Sequence, residues 1–113
     1  MKGNTPPIRL CHICGWLIPY GIVKESHPLF GTIDHVVPRS KGGGNGHNLQ
    51  PAHWLCNKIK NDRDMDVTVS VEAAKAIMPY IVLSPEVNTR RGRNALRSVR
   101  RLIADGERLK QAV

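Results

Sequence analysis

The stretch that decides the fold runs from residue 34 to residue 60 and reads DHVVPRSKGGGNGHNLQPAHWLCNKIK. β-branched residues favour a strand over residues 31–37, which overlaps the start of this stretch. A polar loop of about eleven residues follows over residues 38–48, and loops of that length inside a small domain are usually functional. A second short strand over residues 49–52 and a helix over residues 53–61 complete the pattern. The sequence therefore predicts two strands, a functional loop and a helix in this order.

Upstream of this stretch, cysteine spacing indicates a metal site. Cys11 and Cys14 are separated by two residues, and His53 and Cys56 have the same separation. Two such pairs can converge tetrahedrally on one Zn²⁺, and four protein ligands leave no open position, so the site would be structural. The other interpretation is that the cysteines are small buried apolar residues and His53 is a surface histidine. We expect the side chain of His12 to point away from the metal and assign it no role.

Composition limits the class of protein. The 113 residues are enough for one domain, and only five of them are aromatic, so the core should be small and aliphatic. Three cysteines cannot pair fully, which favours metal binding in a reducing compartment, and we expect the cytoplasm. The sequence contains no apolar run long enough to span a membrane, and we expect neither a membrane span nor a signal peptide. A net charge of +8 favours nucleic acid as the partner.

Residues 62–113 contain no His or Cys and are predicted to form a helical extension. The alternation over residues 67–71 fits a strand, but Ser70 could equally cap a helix over residues 71–78 that Pro79 ends. From Arg93 onward, apolar residues recur at spacings of three, four and seven, which predicts an amphipathic helix. Between residues 90 and 101 there are six arginines and no acidic residue.

Several elements around the polar loop over residues 38–48, which contains Gly42-Gly43-Gly44 and is called the glycine loop below, resemble those of one known family. The elements are Asp34-His35 at a strand end, Asn48 after the glycines, and Cys56-Asn57 in the following helix. Together with the turn that contains Cys11 and Cys14, called the cysteine turn below, they resemble the HNH endonucleases, and the resemblance covers residues 11–61. It implies an α+β fold, namely the small ββα-metal (His-Me finger) fold held together by a zinc knuckle. The resemblance does not extend to residues 62–113, where the basic helical extension is predicted from the residues themselves. The expected division is an irregular arm at 1–10, the nuclease domain at 11–66 and the extension at 67–113.

The resemblance also implies roles for individual residues. His35 would be the general base, and Asp34 and Asn57 would hold one catalytic Mg²⁺ or Mn²⁺. Asn48 would fix the glycine loop and thereby orient His35, and Lys60 would lie near the scissile phosphate. Each residue also has an ordinary structural interpretation: Asn48 could be a turn residue, Asn57 could cap a helix or lie on its surface, and Lys60 could be a solvated charge.

These residue types suit phosphodiester hydrolysis. A metal neutralises the charge that develops on the phosphate, and an imidazole can activate water because its ordinary pKa lies near neutral pH. The function that we expect is a metal-dependent DNA endonuclease that leaves 5′-phosphate and 3′-hydroxyl ends, by analogy with the family. Two alternatives remain: a non-catalytic nucleic-acid-binding module held together by zinc, and an accessory subunit of a DNA-processing machine such as a phage packaging complex.

One position departs from the family pattern. Members with a zinc knuckle most often have cysteine at all four positions, whereas this chain has His53. His53 and Asn57, four residues apart, also resemble a branch without knuckles in which one helix supplies two ligands of the catalytic metal. We favour the zinc role for His53.

The arginine cluster suits contact with DNA phosphates, which adds affinity but no sequence information. We expect Arg93, Arg97, Arg100 and Arg101 to take part, and the alternative is a solvated charged face. One such centre cuts one strand at a time, so a double-strand break would require a homodimer or two encounters.

Overall fold

The computed structural model describes residues 9–22 and 24–111 of the chain, with side chains as far as residue 109. The elements, in chain order, are strands β1 (Arg9–Leu10), β2 (Leu17–Ile18), β3 (Gly31–His35) and β4 (Leu49–His53), then helices α1 (Trp54–Lys60), α2 (Val67–Val82) and α3 (Arg90–Gln111). Short 3-10 helices cover Arg39–Lys41 and Pro85–Asn88. The fold is therefore α+β, as the sequence predicted.

The strands form two antiparallel pairs. Strand β1 pairs with β2 around the cysteine turn, and β3 pairs with β4 around the glycine loop. Arg9 and Leu10 were expected in an irregular arm, but they form β1 because their partners in β2 return directly after the turn. The rest of the expected arm, residues 1–8, lies outside the described residues.

The β3–loop–β4–α1 unit follows the predicted order, with small shifts at its boundaries. Strand β3 ends at His35, two residues earlier than predicted, because the Asn48 side chain binds both the N–H and the carbonyl of Val37. That side chain replaces a partner strand at this point. Helix α1 starts directly after β4, so His53 at the strand end is followed by Cys56 and Asn57 in the helix without an intervening loop.

Helix α2 corrects both interpretations of residues 67–78. It begins at Val67, where the carboxylate of Asp66 accepts a hydrogen bond of 2.9 Å from the N–H of Val69, so Asp66 rather than Ser70 is the cap. Pro79 lies inside the helix instead of ending it. Residues at helical spacing are buried on one side: Val69, Ala73, Ala74, Ile77 and Ile81. Packing of this face outweighs both the β-branched pattern and the hydrogen bond that a proline removes.

Helix α3 begins three residues before the predicted start. The hydroxyl of Thr89 accepts a hydrogen bond from the N–H of Gly92 and so caps the start of the helix. Gly106, which weakens an isolated helix, has a packing role because a Cβ there would lie 2.3 Å from a methyl group of Val71. This glycine therefore allows α3 to approach α2 closely.

One hydrophobic core includes residues from both halves of the chain. It contains residues of the cysteine turn and the adjacent Trp16, together with Cys56 of α1, Ile77 of α2 and Val99 of α3. The boundary expected at residue 66 falls in the loop before α2. Within the described ranges, no helix is both long and apolar enough to cross a membrane.

Candidate active site and metal centre

The cysteine turn and the start of α1 bring four potential zinc ligands together. The ligand atoms of Cys11, Cys14, His53 and Cys56 all lie within 4.8 Å of one another, and all four residues are buried. The Nδ1 atom of His53 is 3.4 Å from the Sγ of Cys14 and 3.7 Å from the Sγ of Cys56. Ligands bound to zinc at about 2.3 Å (sulfur) and 2.0 Å (nitrogen) in a tetrahedron are about 3.5 Å apart. The cluster therefore has the donors and the dimensions of a structural zinc site.

Hydrogen bonds around the cluster orient its ligands. The Nε2–H of His53 donates to the carbonyl of Leu17 at 2.8 Å, which leaves the Nδ1 lone pair directed at the sulfurs. The backbone N–H of His53 donates to the Sγ of Cys11, and that of Trp16 donates to the Sγ of Cys14, both at 3.4 Å. His53 thus belongs to the cysteine cluster, and its alternative place at the catalytic metal is not the one observed.

The three thiols are too close to ionise independently. Burial raises the pKa of Cys11, but hydrogen bonds from Cys14 and Cys56 outweigh burial and hold that pKa well below its usual range. Hydrogen bonds with Cys11 in turn raise the pKa values of Cys14 and Cys56 above the usual range. Because zinc binds thiolates, its binding must displace protons from these thiols.

A second centre lies at the end of strand β3. Asp34, His35 and Asn57 line the same open cavity of about 310 Å³. Helix α1 supplies Cys56 to the zinc cluster and Asn57 to this cavity, because successive helical residues point about 100° apart. The structure thus brings together three of the four residues expected to be catalytic.

The carboxylate of Asp34 is nearly buried, with 5% of the residue exposed, and it has two partners. Its Oδ2 atom is 2.9 Å from the Nε2 of His12. The ammonium of Lys60 lies 3.3 Å from Oδ2 and 3.5 Å from Oδ1. Oδ1 therefore has only the longer of these contacts.

The sequence indicated neither of these contacts. His12 points away from the zinc cluster as expected, and its imidazole contacts Asp34. Lys60 was expected either near the scissile phosphate or as a solvated charge, whereas its side chain is 0% exposed and also donates to the carbonyl of His35 at 2.9 Å. Its spacing of four from the buried Cys56 places both on one face of α1, and this spacing could have indicated the burial. No local pattern pointed to His12.

The imidazole of His35 is half-buried at the edge of the cavity. Its Nε2 atom lies 3.2 Å from the amide oxygen of Asn45 and 3.3 Å from the Nε of Arg39. These contacts exclude each other as hydrogen bonds, because Nε2 must carry a proton to donate to Asn45 and must lack one to accept from Arg39. Among the described residues, Nδ1 has no hydrogen-bond partner.

Asn48 fixes the glycine loop that carries Asn45. Its Oδ1 accepts from the N–H of Val37 at 2.8 Å, and its Nδ2 donates to the carbonyls of Val37 and Gly44 at 2.9 Å each. A Cβ on Gly43 would lie 1.8 Å from the carbonyl oxygen of Val37, so only glycine fits there. These contacts link both ends of the loop, beside His35.

The amide of Asn57 has a defined orientation. The hydroxyl of Thr32 donates its proton to the carbonyl of Ala52 at 2.9 Å, so the hydroxyl oxygen can only accept a second bond. The Nδ2 of Asn57 donates to that oxygen at 3.2 Å. Among the described residues, the Oδ1 of Asn57 has no hydrogen-bond partner.

The arginines of α3 lie on the outside of the molecule. Arg93, Arg97, Arg100 and Arg101 are all exposed, and Arg93 donates to the carbonyl of Asn88. Within the part of the chain that the structure describes, no ion pair involves Arg97, Arg100 or Arg101. Their charges are available to a partner.

Comparison with known proteins agrees with the resemblance read from the sequence. Residues 11–63 match the model of the family described as HNH endonuclease. No curated protein and no solved structure matches the chain. The matched range contains the zinc ligands and every residue of the cavity that the resemblance singled out, and it implies a nuclease-type function with a nucleic-acid substrate. Residues 11–63 are therefore a domain of the HNH endonuclease family.

Proposed function

We propose that this chain is a metal-dependent endonuclease that hydrolyses DNA phosphodiester bonds with His35 as the general base. The observation that carries the proposal is the placement of Asp34, His35 and Asn57 around one open cavity. A non-catalytic binding module has no need for an oxygen pair and a free imidazole nitrogen in one cavity.

The oxygen atoms at this cavity suit a hard divalent cation. Asp34 offers Oδ1, and Asn57 offers Oδ1 because its amide nitrogen is held by Thr32. Carboxylate and amide oxygens favour Mg²⁺ or Mn²⁺, and two protein ligands leave positions for phosphate and water. When bound, such an ion acts as a Lewis acid that neutralises charge on the phosphate and the leaving oxygen.

Proton removal is assigned to the Nδ1 atom of His35. With a proton on Nε2, the imidazole donates to Asn45 and leaves the Nδ1 lone pair free to accept a proton from water. The Arg39 guanidinium also lies 3.5 Å from the Asn45 oxygen, which can accept from both groups. Asn48 supports this arrangement through the loop that carries Asn45.

The basic face of α3 is proposed to bind the DNA backbone. Exposed arginines without internal ion pairs can each neutralise one phosphate and release a counterion. We assign this role to Arg93, Arg97, Arg100 and Arg101. A homodimer, or a larger DNA-processing complex, would provide the second active site that a double-strand break requires.

Cleavage of supercoiled plasmid in the presence of Mg²⁺ or Mn²⁺ tests the catalytic proposal. We expect the parent protein to cut and His35→Ala to cut about 10²–10⁴-fold more slowly, the usual contribution of a general base. His47→Ala is the matched control, because His47 is an exposed histidine of the same loop with no assigned role. Equal rates for parent and His35→Ala, or no cutting by either with zinc bound, would reject the proposal in favour of a binding module.

DNA affinity measured over a range of salt concentrations tests the basic face. Replacing Arg97, Arg100 and Arg101 by Gln should weaken binding to all sequences and reduce the slope of log K against log salt by about 0.9 for each lost phosphate contact. Arg63→Gln is the control, because Arg63 is already paired with Glu72 at 2.8 Å, and the slope should stay as in the parent. An unchanged slope in the triple variant would remove α3 from the DNA interface.

A further inference from the structure

We infer that the zinc knuckle, which is the Cys11–Cys14 turn with His53 and Cys56, positions the proposed cleavage centre at Asp34, His35 and Asn57. It does so through His12, whose imidazole holds the carboxylate of Asp34 for the catalytic cation. His12 lies between two zinc ligands in sequence, and its side chain reaches a residue of the other centre. The inference rests on the proposed function, since it assigns Asp34 to a metal. It makes His12 a positioning residue and gives the zinc site a role beyond stability.

The backbone of His12 is fixed from several sides. Its N–H donates to the carbonyl of Pro51 in β4 at 3.0 Å. The flanking residue Cys11 donates its N–H to the carbonyl of Trp16 at 2.9 Å, and the N–H of Gly15 closes the turn onto the carbonyl of Cys11 at 2.9 Å. When the flanking Cys11 and Cys14 bind zinc, the backbone of His12 would have even less freedom to move.

The imidazole meets Asp34 in a manner that selects one carboxylate oxygen. Nε2 of His12 lies 2.9 Å from Oδ2, so a protonated Nε2 donates a short, charge-assisted hydrogen bond to that atom. Oδ1 has only the 3.5 Å contact with Lys60. The bond to His12 therefore fixes the carboxylate plane and leaves Oδ1 for a cation at the cavity.

The burial of this contact increases its value. His12 is 15% exposed in its side chain and Asp34 is 5% exposed, so water competes weakly for the bond. Without His12, the carboxylate would keep only Lys60, whose ammonium spans both oxygens at 3.3 and 3.5 Å and selects neither. Partners that orient a metal ligand typically change metal affinity by about 10–100-fold when they are removed.

Binding of Mn²⁺ to the zinc-loaded protein, followed by electron paramagnetic resonance, tests the inference without a cleavage assay. We expect His12→Leu to bind Mn²⁺ about tenfold or more weakly while it still folds and holds one zinc per chain, with a lower Tm because the buried carboxylate loses a partner. His12→Gln keeps an N–H donor at a similar reach and should recover most of the affinity. His47→Ala is the control and should bind as the parent does.

A long-range ¹H–¹⁵N spectrum of the imidazoles separates this inference from the proposed function. In the zinc-loaded protein without Mn²⁺, His12 should be protonated at Nε2, and Asp34→Asn should shift that resonance but not the resonances of His47. A parent that neither binds Mn²⁺ nor cleaves would reject the proposed function, and the spectrum would still decide whether His12 holds Asp34. An unshifted His12 resonance, or parental Mn²⁺ affinity in His12→Leu, would overturn the inference.

Discussion

The zinc cluster and the proposed cleavage centre share helix α1, yet they differ in how many of their polar atoms already have a partner. In the zinc cluster, all four ligands are buried and face one another, and the second nitrogen of His53 is also bonded. In the proposed cleavage centre, Oδ1 of Asn57 and Nδ1 of His35 have no hydrogen-bond partner among the described residues, and both residues line an open cavity. A closed set of donors gives stability, whereas an open set can bind a cation and a substrate.

The two centres also differ in what holds their ligands. The zinc ligands join segments 39 positions apart, since Nδ1 of His53 meets Sγ of Cys14, and the four ligand atoms contact one another. In the proposed cleavage centre, Asp34 is held by side chains 22 and 26 positions away that are not themselves proposed to bind the cation. Metal binding at one centre is therefore part of folding, and metal binding at the other requires the fold to be present.

Removal of zinc should have the largest effect. A chelator strong enough to extract zinc should unfold the chain, because structural zinc contributes about 10–16 kcal/mol of apparent binding free energy in small domains. Removal of Mg²⁺ alone should abolish cleavage and leave the far-ultraviolet circular dichroism spectrum unchanged. A chain that keeps its fold and Tm after complete loss of zinc would break the distinction between the two centres.

Lys60→Met should have the next largest effect, on the cleavage centre. The substitution leaves the buried carboxylate of Asp34 with a single partner, and breaking a buried ion pair in this way costs about 3–5 kcal/mol. Lys75→Met is the control, because Lys75 forms a half-exposed pair with Glu107 and such pairs contribute about 0–1 kcal/mol. Urea denaturation of the zinc-loaded proteins gives both values. Equal losses would mean that the Asp34–Lys60 pair behaves as a surface pair.

His53→Cys should have the smallest effect. Cysteine is a good zinc ligand, so zinc and cleavage should both be retained. Loss of the 2.8 Å bond from Nε2 leaves the carbonyl of Leu17 unpaired, which should cost about 1–3 kcal/mol and lower the Tm by several degrees. Zinc content, plasmid cleavage and Tm are measured on one preparation. Retained zinc with lost cleavage would instead place His53 at the catalytic metal.

The sequence alone determined the residues whose roles depend on local spacing. The two pairs of zinc ligands, the order of strand, loop, strand and helix, and the HNH resemblance could all be predicted, since short spacings and ligand chemistry are set by neighbouring residues. The helix boundaries were less well predicted. Asp66 caps α2 and Pro79 lies within it because a buried face, which packs against α1 and α3, outweighs local propensity.

Only the tertiary structure decided how the centres are supported. No local pattern indicated that His12 bonds to Asp34, and Lys60 was expected near a phosphate or in solvent rather than beneath the site. The physical reason is that these contacts join residues more than twenty positions apart, and their distances are set by the packing of the knuckle, β3 and α1 together. Ligand identity follows from local spacing, whereas the orientation of a ligand follows from the whole fold.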